Sequence, residues 1–258
     1  MITNCPSASE RYVLSYKKKL HKLIQGLIQG KAKVRILDVG CGRGEDLLSL
    51  SLLGDFFLCG LDISQERLDK AQAMTSGRKG IFLVRACAQN LPFKDKAFDV
   101  VLASEIIEHI DNPNNFLQQL KRVLVADGHL FITTPPPYSY TTIIGKLIPE
   151  GRLKIKLRKF IYFRHSPMDG IKRLLPDGTI VKEHVREFTP RQLKRILVNS
   201  GFKVLGIFPG DLRPFFFPLF DRLPFLLRLW RGLDKMIDLL PGGMNIKANF
   251  IVMAKNEI

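Results

Sequence analysis

Apolar positions fall into two alternating patterns along the first half of the chain. Over residues 9–29, Tyr12, Leu20, Leu23, Ile24 and Leu27 recur near helical spacing, with Ser9 placed to cap and Gly30 to stop the run. This predicts an amphipathic helix whose opposite face is the lysine run 17–19. Short apolar blocks then appear at 34–39, 56–61, 81–86, 98–103 and 129–134, each long enough for a buried strand. Helical patterns separate them, at about 45–53, after Ser64 in SQERLDKAQAM, and in PNNFLQQLKRVL. In the last of these Phe116, Leu117, Leu120 and Leu124 share one face behind an Asn112–Pro113 start. Arg67 reads as a surface residue. Strands alternating with helices at this spacing predict an α/β fold, a mostly parallel sheet with helices on both faces.

The rhythm breaks at 138–186, a basic insertion without a clear strand. It resumes with FTPRQLKRILVNSG, where Thr189 caps, Pro190 occupies the first turn and Gly201 closes. A sixth strand at 202–208 follows, then a second insertion at 209–244 rich in Phe, Leu and Pro, and a seventh strand at 249–254. No internal repeat is visible. The expected organisation is one domain over 1–258, with an N-terminal helix within 1–30 and two cap insertions.

Charge changes this picture by being uneven. The net charge is +16. Residues 1–35 carry 8 basic and 1 acidic side chains, and 138–186 carry 11 and 4. Residues 36–137 carry 10 and 13, so the sheet-forming core is mildly acidic between basic flanks. Such flanks suit RNA phosphates, anionic lipid headgroups or an acidic substrate, or are a solvated surface. Cys5, Cys41, Cys59 and Cys87 form no C-x-x-C pair, which points to a reduced, cytoplasmic protein without structural disulfides. The N-terminal stretch has no apolar signal core, and no run approaches the ~18 apolar residues of a membrane span.

Candidate chemistry centres on VRILDVGCGRG at 34–44. An apolar strand entering a glycine turn that opens a helix makes a pocket at the strand's carboxyl end. A dinucleotide turn reads G-x-G-x-x-G and offers a helix N-terminus to a pyrophosphate. Here the spacing is G-x-G-x-G, with Asp38 before it and Glu45–Asp46 directly after. Those acids would repel an anion and tolerate a cofactor carrying an ammonium and a sulfonium. Asp62, ending the next strand, offers a carboxylate able to accept ribose hydroxyls.

At this point the chain resembles the class I S-adenosylmethionine-dependent methyltransferases, with a small-molecule or lipid-linked acceptor. DVGCGRG is similar to the family's first motif. LPFKDKAFDVV is similar to its LPF-x-D-x-x-FD-x-V segment, and LKRVLVADGHLFITTP to its LK-x-L-x-x-x-G motif. EFTPRQLKRILVNSGF resembles the region after the fifth strand in members acting on small or lipid-linked molecules. The likeness covers about 30–137 and 185–208 and says little about the insertions. It implies a Rossmann-like sheet of seven strands. The cofactor site it implies is Asp38, Gly40, Cys41, Gly42, Asp62, Ile63, Cys87, Ala88 and Ser104. Cys87 departs from the pattern, because the family usually has an acid there for the adenine amine and cysteine is a poor acceptor. Backbone groups or Gln89 would serve instead, or Cys87 is simply a buried small residue.

A second constellation, Glu105, Glu108 and His109, follows the fourth strand. In a helix, positions i, i+3 and i+4 would share a face, and two carboxylates with an imidazole could hold a divalent metal. The E-x-x-E-H spacing is similar to that of metal-dependent small-RNA 2′-O-methyltransferases and of ubiquinone-pathway O-methyltransferases. By the RNA-enzyme likeness His184, in HVREFT, would be a fourth ligand. Such a metal would lower the pKa of the acceptor hydroxyl. The alternative is a metal-free site lined by Glu105 and His109 with Glu108 on the surface, where His109 or His184 acts as general base.

Both insertions leave strand ends on the cofactor side. The first contains GRLKIKLRKF; the second, PFFFPLFDRLPFLLRLWRGLDKMIDLLPGG, includes Phe215–Phe217 and Trp230. The second suits either a peripheral membrane contact through 209–244, placing the protein at a membrane surface, or a helical cap over the acceptor. The resulting reading is methyl transfer to a small, hydrophobic or lipid-linked acceptor at oxygen. The competing readings are an RNA methyltransferase using the basic flanks and a non-catalytic adenosylmethionine-binding partner subunit.

Overall fold

The computed structural model describes residues 8–31, 33–137, 173–174, 180–181, 185–210, 224–240, 243–247 and 249–257. The first helix, α1 (Ala8–Ile28), carries Leu20, Ile24 and Ile28 at four-residue spacing, and all three are buried. Burying Leu20 and Ile24 fully contributes about 1.5–3 kcal/mol each. The chain then alternates through β1 (Arg35–Val39), α2 (Glu45–Leu50), β2 (Phe57–Asp62), α3 (Gln65–Met74), β3 (Ile81–Arg85) and β4 (Phe98–Ser104). A 3-10 turn (Ile107–His109), α4 (Pro113–Val123) and β5 (Leu124–Thr134) complete the first half.

The seven strands form one sheet in the order β3-β2-β1-β4-β5-β9-β8, where β8 is Phe202–Pro209 and β9 is Phe250–Asn256. Neighbours from β3 to β5 pair in parallel, and β9 alone runs against both its neighbours. Successive residues of each strand feed opposite cores. Leu37, Val101, Leu130 and Val252 pack with Phe116, Leu117 and Leu120 of α4, and with Leu193 and Leu197 of α5 (Pro190–Asn199). Ile36, Val100, Phe131 and Ile251 pack with Leu20 and Ile24 of α1, Leu47 of α2 and Leu68 of α3. The expected α/β sheet with helices on both faces is therefore the observed fold.

The helix starts follow their capping residues. Ser64 Oγ accepts from Arg67 N, Asn112 Oδ1 accepts from Asn115 N, and Thr189 and Gln192 form a reciprocal capping box ahead of α5. The fifth strand begins earlier than its apolar block. Leu124 already pairs with Phe98, and Asp127, at φ +62, turns the chain inside the strand before the regular ladder from His129.

In the first insertion, where the apolar pattern showed no strand, β6 (Arg173–Leu174) pairs antiparallel with β7 (Ile180–Val181). The run GRLKIKLRKF lies outside the described residues, as does Phe215–Phe217 of the second insertion. Within that second insertion α6 spans Pro224–Asp238, followed by a 3-10 turn at Gly243–Ile246.

Candidate active site

Strand order reverses between β1 and β4, whose following helices pack on opposite faces, so a crevice opens beyond their carboxyl ends. The glycine turn forms one wall. Gly40, Gly42 and Gly44 all have positive φ, at 76°, 53° and 80°. Gly40 N and Cys41 N both donate to Leu61 O, at 2.7 and 2.9 Å, which locks the turn onto β2. A Cβ on Gly40 would meet Ile106 Cδ1 at 2.7 Å, whereas one on Gly42 would meet nothing within 4 Å. Gly42 is thus where the backbone lies open to a ligand.

Asp38 sits directly behind this turn. It is 1% exposed, and its Oδ2 has no hydrogen-bond partner among the described residues. Burial holds its carboxyl well above the ordinary value of 3.8; Asp46 and Asp62 push the same way, and Lys17 opposes them. At the end of β4, Ser104 Oγ is also buried and without a partner among the described residues. Two orphaned polar atoms at the switch point are what a polar ligand would satisfy.

Asp62 is more occupied than its position in the sequence implies. Its Oδ2 accepts from Gly42 N at 3.0 Å and its Oδ1 from Ser64 N at 2.9 Å. Each oxygen keeps a further lone pair. Arg67 is exposed, with Nη1 3.9 Å from Asp62 Oδ2. The carboxylate therefore builds the turn as well as facing the crevice.

The acids that open α2 do not face it. Asp46 is buried against His21 Nε2 at 3.0 Å and Lys17 Nζ at 3.3 Å, and Glu45 meets the same lysine at 2.9 Å. Burial works to raise the Asp46 pKa, but Lys17 and His21 outweigh it and hold the carboxylate below its ordinary range. This corrects the electrostatic argument from sequence, since α1 neutralises both acids and leaves Asp38 and Asp62 as the cleft's own carboxylates. Lys19 Nζ donates to Pro209 O at 2.9 Å, so the lysine run clamps α1 to the fold.

Beyond β2 and β3, Ile63 and Cys87 are exposed and Ala88 is buried. A buried Cys87 is therefore not what is found. Gln89 Oε1 accepts from Asn112 N at 3.3 Å, which ties that amide to the start of α4. Cys41 is buried, and burial with Asp38 and Asp62 raises its thiol pKa, so it remains an inert thiol.

The segment after β4 departs from the helical expectation. Glu105 has φ +52, a conformation that ends regular structure for a residue with a Cβ. Its N donates to Thr133 O at 3.0 Å, and its Oε1 accepts from Thr133 Oγ1 at 3.1 Å. Residues 107–109 then make only a 3-10 turn. Glu108 is 1% exposed rather than on the surface, and its Oε2 accepts from Thr134 Oγ1 at 3.0 Å. Burial first, then Glu105, raises the Glu108 pKa well above its ordinary range. His109 is exposed. The shared helical face of Glu105, Glu108 and His109 does not exist, and no group of three or more ligating side chains suited to a metal occurs among the described residues. His184, the fourth expected ligand and second candidate base, lies outside the described residues.

Spacing alone did not mark Lys17, His21, Thr133 and Thr134. The threonines had a visible signal, two hydroxyls at the end of an otherwise apolar strand. The α1 cations had none.

The family model described as a methyltransferase domain matches residues 37–132, the span from β1 through β5 that builds this crevice. The chain belongs to the class I S-adenosylmethionine-dependent methyltransferases. Among curated relatives of this methyltransferase, the 27-O-demethylrifamycin SV methyltransferase of Amycolatopsis mediterranei is 30% identical over 128 residues, 46% of each chain. The ubiquinone biosynthesis O-methyltransferase of Vibrio atlanticus is 24% identical over 175 residues, 67% of this chain and 65% of that one. The match to the rifamycin enzyme thus spans less than half of its length. A solved S-adenosylmethionine-dependent methyltransferase from Methanosarcina mazei shares the fold, with a TM-score of 0.59 at 18% identity over 92% of this chain and 97% of that one.

Proposed function

We propose that this methyltransferase transfers its methyl group to an oxygen of a small, hydrophobic acceptor. S-adenosylmethionine supplies an already activated methyl on a sulfonium. The protein's task is therefore alignment, exclusion of water and removal of a proton from the acceptor. The observation that carries the donor side of this reading is the orphaned, buried Oδ2 of Asp38 at the switch point. It is matched to the cofactor's ammonium, a pairing that would draw the carboxyl into its charged form. Gly42 lets the backbone approach, Gly40 packs the turn against Ile106, and the spare lone pairs of Asp62 would accept hydrogen bonds from the ribose hydroxyls. Ser104 offers a polar contact beside the methionine portion. Ile63, Cys87 and Ala88 line the adenine side, with Cys41 packed beneath the turn.

On the acceptor side, His109 stands exposed beside the end of β4, within the segment that would face an incoming substrate, and is assigned as the general base. Glu108, whose charged form burial disfavours, accepts from Thr134 Oγ1 and holds that turn in place. Oxygen as the acceptor atom is supported by the two O-methyltransferase relatives, whose names specify a rifamycin and a ubiquinone pathway.

A labelled methyl-transfer screen of the full chain against total lipid, total RNA and small-metabolite fractions tests the proposal. Label is expected in an organic-soluble, oxygen-linked product and reduced at least tenfold by His109→Ala. Label in RNA alone, or on nitrogen or carbon, would refute the acceptor assignment.

A further inference from the structure

Helix α6 presents a face that nothing in the described fold covers. Phe225, Leu229, Leu233, Met236 and Leu240 recur at intervals of four, four, three and four and are 57%, 66%, 44%, 64% and 60% exposed. With 3.6 residues per turn the first four of these, which lie within α6, make one continuous apolar stripe, and Leu240 follows two residues beyond the helix end. A soluble helix normally turns such a stripe inward, and contiguous exposed apolar surface marks a contact site.

The helix is held in this orientation by a buried cation. Lys247 is fully buried, and its Nζ pairs with the carboxylate of Asp234, with Asp234 O at 2.8 Å and with Asp238 Oδ1 at 3.1 Å. Helical periodicity places Asp234 and Asp238 across the helix from the stripe. Turning the stripe inward would strip Lys247 of both carboxylates and leave an unpaired buried charge.

The same arrangement decides the charge of the outer surface. Both acids of the helix are engaged by Lys247, while Arg228 and Lys235 are exposed on the flank beside the stripe. An apolar stripe with a basic flank and its acids turned away complements an anionic bilayer surface, where apolar side chains enter the acyl boundary and cations meet headgroups. Among the described residues no helix is long and apolar enough to cross a membrane, which fits a helix lying in the interface plane.

We infer that α6 docks the enzyme laterally on an anionic lipid surface through the Phe225–Met236 stripe, with Arg228 and Lys235 on phosphate headgroups. Docking is independent of the acceptor's identity and of methyl transfer.

The test is co-sedimentation of the full chain with phosphatidylcholine vesicles, with and without phosphatidylglycerol, in the absence of donor and acceptor. The wild type is expected to partition onto the anionic vesicles and to release as salt rises. Leu229→Ser/Leu233→Ser/Met236→Ser should lower partitioning at least about tenfold. Arg228→Gln/Lys235→Gln should lower it by about fivefold per residue on anionic vesicles alone. Titration with S-adenosylmethionine should be unchanged in both variants, which separates lost docking from a damaged enzyme. A wild type that stays in solution, or a stripe variant that partitions like the wild type, overturns the inference. So does a stripe variant that turns a dimer into a monomer without changing vesicle binding, which would make the stripe a contact between two copies.

Discussion

Gly42→Ala separates the turn's structural cost from its cost to the cofactor site. A Cβ there meets nothing within 4 Å, so only the left-handed backbone, φ +53, opposes it. That strain is about 1–2 kcal/mol, partly offset by the lower entropy of the unfolded alanine chain, for a net loss of about 1 kcal/mol. In a chain of 258 residues this lowers Tm by about 2–4 °C. Gly40→Ala carries similar strain, and its Cβ also approaches Ile106 Cδ1 at 2.7 Å, adding an overpacking cost of about 1–3 kcal/mol. The two should reverse in calorimetry. The Gly42 methyl enters the open space assigned to the cofactor and should weaken S-adenosylmethionine binding about ten- to hundredfold, a loss of about 1.4–2.8 kcal/mol. Thermal unfolding by circular dichroism and isothermal titration calorimetry supply the two readouts. Wild-type affinity in Gly42→Ala would place the cofactor elsewhere, and a stability loss equal to that of Gly40→Ala would refute the open geometry.

Two further outcomes follow from the same contacts. Asp62→Ala orphans Gly42 N and Ser64 N together, so it should lose about 2–4 kcal/mol of stability as well as cofactor binding. Asp62→Asn keeps one carbonyl acceptor, so it should unfold at a higher temperature than Asp62→Ala while still binding poorly; equal melting of the two would contradict the role assigned to both oxygens. The Asp46 carboxylate is held below its ordinary 3.8 by Lys17 and His21. Its stabilisation is complete above the unfolded value and lost as pH falls through the lowered folded value. Asp46→Asn should therefore be less stable than wild type near neutrality, with the gap closing only as pH falls below the ordinary carboxylate value of 3.8 in acid titrations followed by circular dichroism; a pH-independent gap would show that the charge pair is not responsible.

Much of the architecture was legible because it is written locally. Apolar blocks gave the strands, Ser64, Asn112 and Thr189 marked helix starts, and the G-x-G-x-G spacing located the crevice. What was not legible depends on partners far apart in the chain. Asp46 looked like part of the cofactor's electrostatic environment because Lys17 and His21 belong to a helix that only the fold brings beside it. Glu105, Glu108 and His109 have helical spacing, and it is Thr133 and Thr134, on a neighbouring strand, that draw the two glutamates apart from a common face. Lys247 gave no sign of burial, since its need for Asp234 and Asp238 appears only when α6 packs against it. The cofactor's pocket is local sequence, whereas the acceptor's surroundings are tertiary structure.

The account rests on Asp38 as the partner of the cofactor's ammonium, and one comparison tests it directly. Methylthioadenosine has the adenine and ribose of S-adenosylmethionine and lacks the amino-acid portion. Asp38→Asn should fold normally, because burial already disfavours the charged carboxylate at this position. Calorimetry should show wild type preferring S-adenosylmethionine over methylthioadenosine, and Asp38→Asn losing at least tenfold of that preference while binding methylthioadenosine as before. An unchanged preference in Asp38→Asn would contradict the assignment.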